Sequence, residues 1–146
     1  MHISGISNKK ARLPKKHTIL VADDDPYILD CLSLILQDAG YHVETLQNGK
    51  VLQVLTHFRP DLVLLDLWMS GVNGKEICLR LKNTTGLKNI PVIMISANSD
   101  IARIAAACGA DDFLMKPFDM LALLTKVEAH LSGGRNTGLL AGKRSL

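Results

Sequence analysis

Between residues 18 and 131, short runs of consecutive apolar residues alternate with longer segments whose apolar positions recur every three or four residues. The short runs are Thr18–Ala22, His42–Leu46, Leu62–Leu65, Val92–Ile95 and Phe113–Met115. Rich in Val, Ile and Leu and bounded by turn residues, they predict strands buried on both faces of a parallel sheet. The run at 42–46 is more polar, as an edge strand would be. The longer segments predict helices. Over 26–39, Ile28, Leu29, Leu32, Ile35, Leu36 and Ala39 form one stripe, and Gly40 follows as a stop. Over 49–57, Val51, Leu52, Val54 and Leu55 point inward, and Pro60 closes the unit. Three more helices are predicted over 74–82, over 99–108 with Ser99 as N-cap and Gly109 as stop, and over 119–131 with Asp119 as cap.

Five strands, each followed by a helix, predict right-handed βαβ crossovers and the α/β class. The expected architecture is a doubly wound (βα)5 three-layer sandwich around a five-stranded parallel sheet. In such sheets ligands bind at the carboxyl ends of the strands, where the winding direction reverses. The chain of 146 residues has room for one domain, placed at 18–131. Residues 1–17 read as a basic N-terminal extension, and residues 132–146 as a C-terminal tail or linker too short to form an effector.

Composition narrows the setting. With 47% hydrophobic and 21% charged residues the chain reads as a globular domain. No apolar run approaches the ~20 residues of a membrane span, and the first residues lack a signal-peptide core, so a cytoplasmic protein without a membrane partner is expected. Cys31, Cys78 and Cys108 lie in helical patterns and are expected to be buried reduced thiols. The five histidines show no metal-ligand spacing and are assigned to surface or linker. The net charge of +3 is unevenly spread: residues 1–17 carry five basic residues and no acid, and residues 132–146 carry three. The body keeps nine basic residues against all 14 acids, a net of −5. The basic tails can attract phosphates, but neither carries an aromatic to stack on a base. Solvated extensions are the preferred reading, with no direct nucleic-acid binding by the folded part.

The residues just after each strand carry the chemistry. Asp23-Asp24-Asp25 follows the first, Asp66 the third, Ser96-Ala97 the fourth and Lys116-Pro117 the fifth. Acids, a hydroxyl and an ammonium would thus gather on one sheet edge. Carboxylates so crowded tolerate ionisation only around a cation. An all-oxygen donor set suits a hard ion such as Mg²⁺. With a metal and a lysine in place, one carboxylate can act as a nucleophile toward a phosphoryl group whose oxygens the metal, ammonium and hydroxyl bind. Asp25, followed by Pro26, is assigned to capping the first helix.

The stretches Ile19-Leu-Val-Ala-Asp-Asp-Asp-Pro26, Pro60-Asp-Leu-Val-Leu-Leu-Asp-Leu-Trp-Met69, Val92-Ile-Met-Ile-Ser-Ala97 and Gly109-Ala-Asp-Asp-Phe-Leu-Met-Lys-Pro-Phe118 resemble response-regulator receiver domains of two-component signalling. The resemblance runs through all five strand–helix units and implies a flavodoxin-like fold. By its terms Asp66 is the phosphoacceptor, Asp24 a direct Mg²⁺ ligand and Asp23 an acid acting through metal-bound water. Trp68 supplies a backbone carbonyl to the metal. Ser96 is the switch hydroxyl, Lys116 the lysine on the phosphoryl group, Phe113 the aromatic that follows the hydroxyl, and Pro117 the proline of a cis peptide bond. The donor implied is a sensor histidine kinase or phosphotransfer protein. Phosphorylation would reshape the face of the fourth helix, fifth strand and fifth helix, which is also the candidate homodimer surface. The domain would catalyse only its own phosphorylation and dephosphorylation. The alternative is a degenerate receiver serving as a phosphorylation-independent interaction module, against which the intact acid set argues.

Two departures from that pattern stand out. Ser70 replaces the proline usual after Met69, which predicts a looser loop. Trp68 is bulky; with Asn98 it would flank the phosphoryl group and slow attack by water. It also stands where an aspartyl phosphohydrolase needs a second acid, which disfavours that enzyme class. A flavodoxin-like cofactor binder is disfavoured because no phosphate loop follows the first strand. Asp111 and Asp112 are expected as solvated surface, and Lys75, Arg80 and Lys82 as a solvated helix face.

Overall fold

A computed structural model describes residues 16–144, with side chains described for 16–132. The basic N-terminal extension assigned to 1–17 lies almost entirely outside the described residues. The elements run β1 (Thr18–Ala22), α1 (Pro26–Asp38), β2 (His42–Leu46), α2 (Val51–Val54), β3 (Leu62–Asp66), α3 (Gly74–Lys82), β4 (Val92–Ser96), α4 (Ile101–Cys108), β5 (Asp112–Met115) and α5 (Met120–Arg144). The sheet order is β2-β1-β3-β4-β5, and every pair is parallel. The order reverses between β1 and β3, so the strand ends carrying the acids lie at the switch point.

Alternation along the strands fills a core on each side of the sheet. Leu20, Val63, Leu65, Val92 and Met94 pack with Ile77, Leu81 and Ile101. On the other face, Ile19, Val21, Leu64 and Ile93 pack with Leu29, Leu32, Leu36, Leu123 and Val127. The central strands β3 and β4 are buried along their whole length, whereas β2 shows no buried residue, as its polarity predicts. Fully burying each Leu or Ile contributes about 1.5–3 kcal/mol, and this burial is what holds the strand ends in register.

Several local expectations need correction. The second helix is a single turn, because the chain tightens at once: Thr56 Oγ donates to the Gln53 carbonyl and the His57 N–H to that of Val54. Ser99 does not cap α4. Asn98 turns the chain instead, its side chain accepting from the Asp100 N–H and its carbonyl from the Ile101 N–H. Ala39, at the C-cap of α1, is exposed. Helix α5 runs past the predicted end at 131 to Arg144, since no proline stops it and glycines such as Gly133 weaken a helix by only about 1 kcal/mol each. Asp25 and Asp119 do cap their helices, accepting from the N–H groups of Tyr27 and Ala122.

The charges opposite the acid edge are engaged as well. Asp111 accepts from the Val92 N–H at 2.8 Å and from Lys82 Nζ at 2.7 Å, and Lys82 also donates to the Ile90 carbonyl. Asp112 accepts from Lys126 at 2.8 Å and pairs with His130 at 3.0 Å. Burial opposes ionisation of Asp112, but the bonds from Lys126 and His130 hold its carboxyl below the usual carboxylate range. These residues lash β5 to α5 and α3 to the start of β5, so neither the acids nor Lys82 are merely solvated. Cys78 and Cys108 are buried free thiols, as expected, but Cys31 is exposed, on the flank of α1 that with Ile28 lines a pocket against Ala97, Lys116, Pro117 and Phe118.

Candidate functional site

The acid edge forms because each strand ends in a residue that turns away from the core. The Asp23 N–H still bonds the Leu46 carbonyl, and the Leu67 N–H that of Ile95, so Asp23 and Asp66 leave the sheet side by side. Asp23, Asp66 and Ser96 are buried polar residues at one end of an otherwise apolar sheet. Carboxylate oxygens from Asp23, Asp24 and Asp66 lie within 4.8 Å of one another. Lys116 reaches over from the end of β5, its Nζ 2.9 Å from Asp23 Oδ2 and 3.3 Å from Asp66 Oδ1. The Lys116 N–H is fixed by the Ser96 carbonyl, and a cis Lys116–Pro117 peptide follows.

The electrostatics are unbalanced by design of the residue set: three carboxylates face one ammonium. Burial, then the neighbouring Asp23 charge, push the Asp66 carboxyl up to about 6, although Lys116 pulls the other way. Burial would lower the Lys116 ammonium, but its hydrogen bond to Asp23 and the charges of Asp66 and Asp23 outweigh that and raise it. A divalent cation among the three oxygens would relieve this strain. All-oxygen carboxylate donors and a residual negative charge fit Mg²⁺. The residues therefore suit the ion that the sequence implies.

The remaining assigned residues are near but differently placed. Ser96 Oγ accepts from the Asn98 N–H at 3.0 Å, which ties the hydroxyl to the start of the loop before α4. Phe113 is half-buried near the start of the edge strand β5, opposite Met94, with Lys126 Nζ 5.2 Å from its ring centroid. The Trp68 side chain is 58% exposed. Trp68 and Met69 pair antiparallel with Asn73 and Val72, closing a miniature hairpin after Asp66. The loop is therefore tighter than expected. Ser70 and Gly71 form its two-residue turn with φ of +44° and +82°, the backbone that a type I′ turn requires. Ser70 is the residue that sequence reasoning undervalued: both its N–H (2.9 Å) and its Oγ (3.2 Å) donate to Asp24 Oδ2. The signal was the replacement of proline by a residue with two donors.

The comparisons with known proteins agree with this geometry. The family model of the response regulator receiver domain matches residues 19–128. The chain is 36% identical over 119 residues to the DNA-binding response regulator MtrA of Mycolicibacterium smegmatis, covering 80% of this chain and 51% of that protein. It is 40% identical over 116 residues to the DNA-binding dual master transcriptional regulator RpaA of Synechocystis, covering 77% of this chain and 48% of RpaA. It thus spans about half the length of these curated relatives. Among solved structures, the signal receiver domain of a signal transduction histidine kinase from Syntrophus aciditrophicus superposes with a TM-score of 0.75 at 34% identity, covering 80% of this chain and 91% of that one. The chain belongs to the response regulator receiver domain family of two-component signalling, with the flavodoxin-like (βα)5 fold. Among the described residues, no helix is long and apolar enough to cross a membrane.

Proposed function

We propose that Asp66 is the phosphoacceptor of this receiver domain. The observation that carries the reading is the meeting of Asp23, Asp24 and Asp66 within 4.8 Å, with Lys116 bonded to two of them at the switch point of the sheet. A carboxylate oxygen of Asp66 attacks the phosphorus of a phosphohistidine or small acyl phosphate. The O–P bond forms as the P–N or P–O bond of the donor breaks, and the leaving group departs on the opposite side. Asp23, Asp24, Asp66 and the Trp68 carbonyl would hold Mg²⁺, which neutralises charge on the phosphoryl oxygens. Lys116 turns from Asp66 to the transferred group, and Ser96 exchanges its bond from Asn98 for one to a phosphoryl oxygen. The domain modifies itself and does not turn over a separate substrate.

The donor is a histidine kinase or phosphotransfer protein. Supporting its approach, α1 leaves Tyr27, Cys31 and Leu34 exposed, and Cys31 lines a pocket with Ala97, Lys116 and Pro117 at the strand ends. The output is a shift in packing of the α4–β5–α5 face, through Ser96 and Phe113, read by a partner or a second copy. MtrA and RpaA bear DNA-binding names, and the matched region spans only about half of each; for this chain the proposal stops at the receiver. In the test, the protein is incubated with a radiolabelled small acyl phosphate. The reading expects magnesium-dependent label that alkali releases, as an acylphosphate requires. Label retained in alkali, or acquired equally in a metal chelator, would exclude it.

A further inference from the structure

We propose that Ser70 is a positioning residue for the cation site: it holds Oδ2 of Asp24, so that the other carboxylate oxygen faces the metal. The inference rests on the reading of Asp23, Asp24 and Asp66 as cation ligands. Its own basis is the turn. Ser70 is the one non-glycine residue with positive φ among the described residues, a conformation costing about 1–2 kcal/mol for an L-residue. That backbone points two donors of a single residue at a single oxygen, the N–H at 2.9 Å and the hydroxyl at 3.2 Å. Proline could do neither, lacking the N–H and fixed near φ −65°.

The neighbouring acid is committed differently. Asp23 accepts from the Asp25 N–H on Oδ1 and from Lys116 on Oδ2. Asp24 receives its side-chain hydrogen bonds from Ser70 on Oδ2 alone, leaving Oδ1 for a cation. Hydrogen bonds to the outer oxygen of a metal-ligating carboxylate fix its rotamer and bring it to the ion preorganised. Loss of such an outer partner typically weakens metal binding about 10–100-fold. The hydroxyl at 3.2 Å places Ser70 at the low end of that range.

The experiment titrates MgCl₂ into the full chain without any phosphoryl donor. It follows the fluorescence of Trp68, the chain's single tryptophan, and checks the heat of binding by calorimetry. Ser70→Ala removes the hydroxyl and keeps the strained φ; Ser70→Gly removes the hydroxyl and the strain together. Both are expected to raise the Mg²⁺ Kd about tenfold. In an Asp24→Asn background, Ser70→Ala is expected to change the Kd less than twofold. Unchanged Kd in both single variants, weakening in Ser70→Ala alone, or an undiminished effect in Asp24→Asn would each overturn the role of Ser70. Wild type failing to bind Mg²⁺ at millimolar concentration would overturn the cation site itself, and the inference with it.

Discussion

Lys116 sits closer to Asp23 (2.9 Å) than to Asp66 (3.3 Å), although Asp66 is the residue whose carboxyl is pushed up. The lysine is thus anchored on a neighbour of the acceptor and leans toward it. An ammonium held this way can follow a phosphoryl group arriving on Asp66 without surrendering its buried partner.

Removing that ammonium leaves buried carboxylates with no counter-charge. Lys116→Met is expected to destabilise the metal-free domain by about 3 kcal/mol, the usual cost of breaking a buried pair from one side. Because the lysine no longer competes for the oxygens, Mg²⁺ should raise the melting temperature more in the variant than in wild type. Thermal unfolding with and without MgCl₂ measures both.

Asp66 itself makes stability depend on pH. Its carboxyl titrates at about 6 in the fold against an ordinary 3.8, so the folded state holds the proton more tightly than the unfolded chain. That contribution is fully present below pH 3.8 and is lost as the pH rises through about 6. The metal-free domain should therefore lose stability across this window, and Asp66→Asn should melt higher than wild type at pH 7 in a chelator. Equal melting curves for the two proteins across the window would contradict the placement of Asp66.

Gly74 opens α3 directly under the acceptor, and a Cβ there would collide with the carbonyl oxygens of Asp66 and Leu67. Both are backbone atoms, so relief requires the loop after β3 to move. Gly74→Ala should cost about 1–3 kcal/mol in chemical denaturation and slow phosphorylation by a small acyl phosphate. Gly71→Ala meets no such backbone collision; its cost is the strain of a Cβ at φ +82°, about 1–2 kcal/mol, and it should slow phosphorylation less.

Trp68 stands two residues past Asp66 with its indole largely in solvent. Trp68→Asn should shorten the lifetime of the phosphorylated domain several-fold, on the expectation that the indole swings over the phosphoryl group and shields it from water, as an amide does not. An unchanged decay of the phosphoform, followed by phosphate release, would remove Trp68 from the control of lifetime.

Much of this arrangement is legible in the chain before folding. The β3 run from Leu62 is buried throughout, and burial on both faces is what writes a strand as an unbroken apolar stretch. With five such runs placed in order, Asp23, Asp66, Ser96 and Lys116 had to emerge at one edge. What escaped notice lies where side chains meet backbone across long separations. Asp111 looks like any surface acid, yet it caps the free Val92 N–H. Ser70 looks like a missing proline, yet its value comes from a left-handed φ, a property of the hairpin as a whole. Cys31 lies in a strongly apolar helix, but off the Leu29, Leu32 and Leu36 stripe that packs on the sheet.

The most direct measurement is the mass of the intact protein after incubation with Mg²⁺ and a small acyl phosphate. Wild type should gain the mass of one phosphoryl group, and Asp66→Ala should gain none. No gain in wild type, or an equal gain in Asp66→Ala, would contradict Asp66 as the phosphoacceptor.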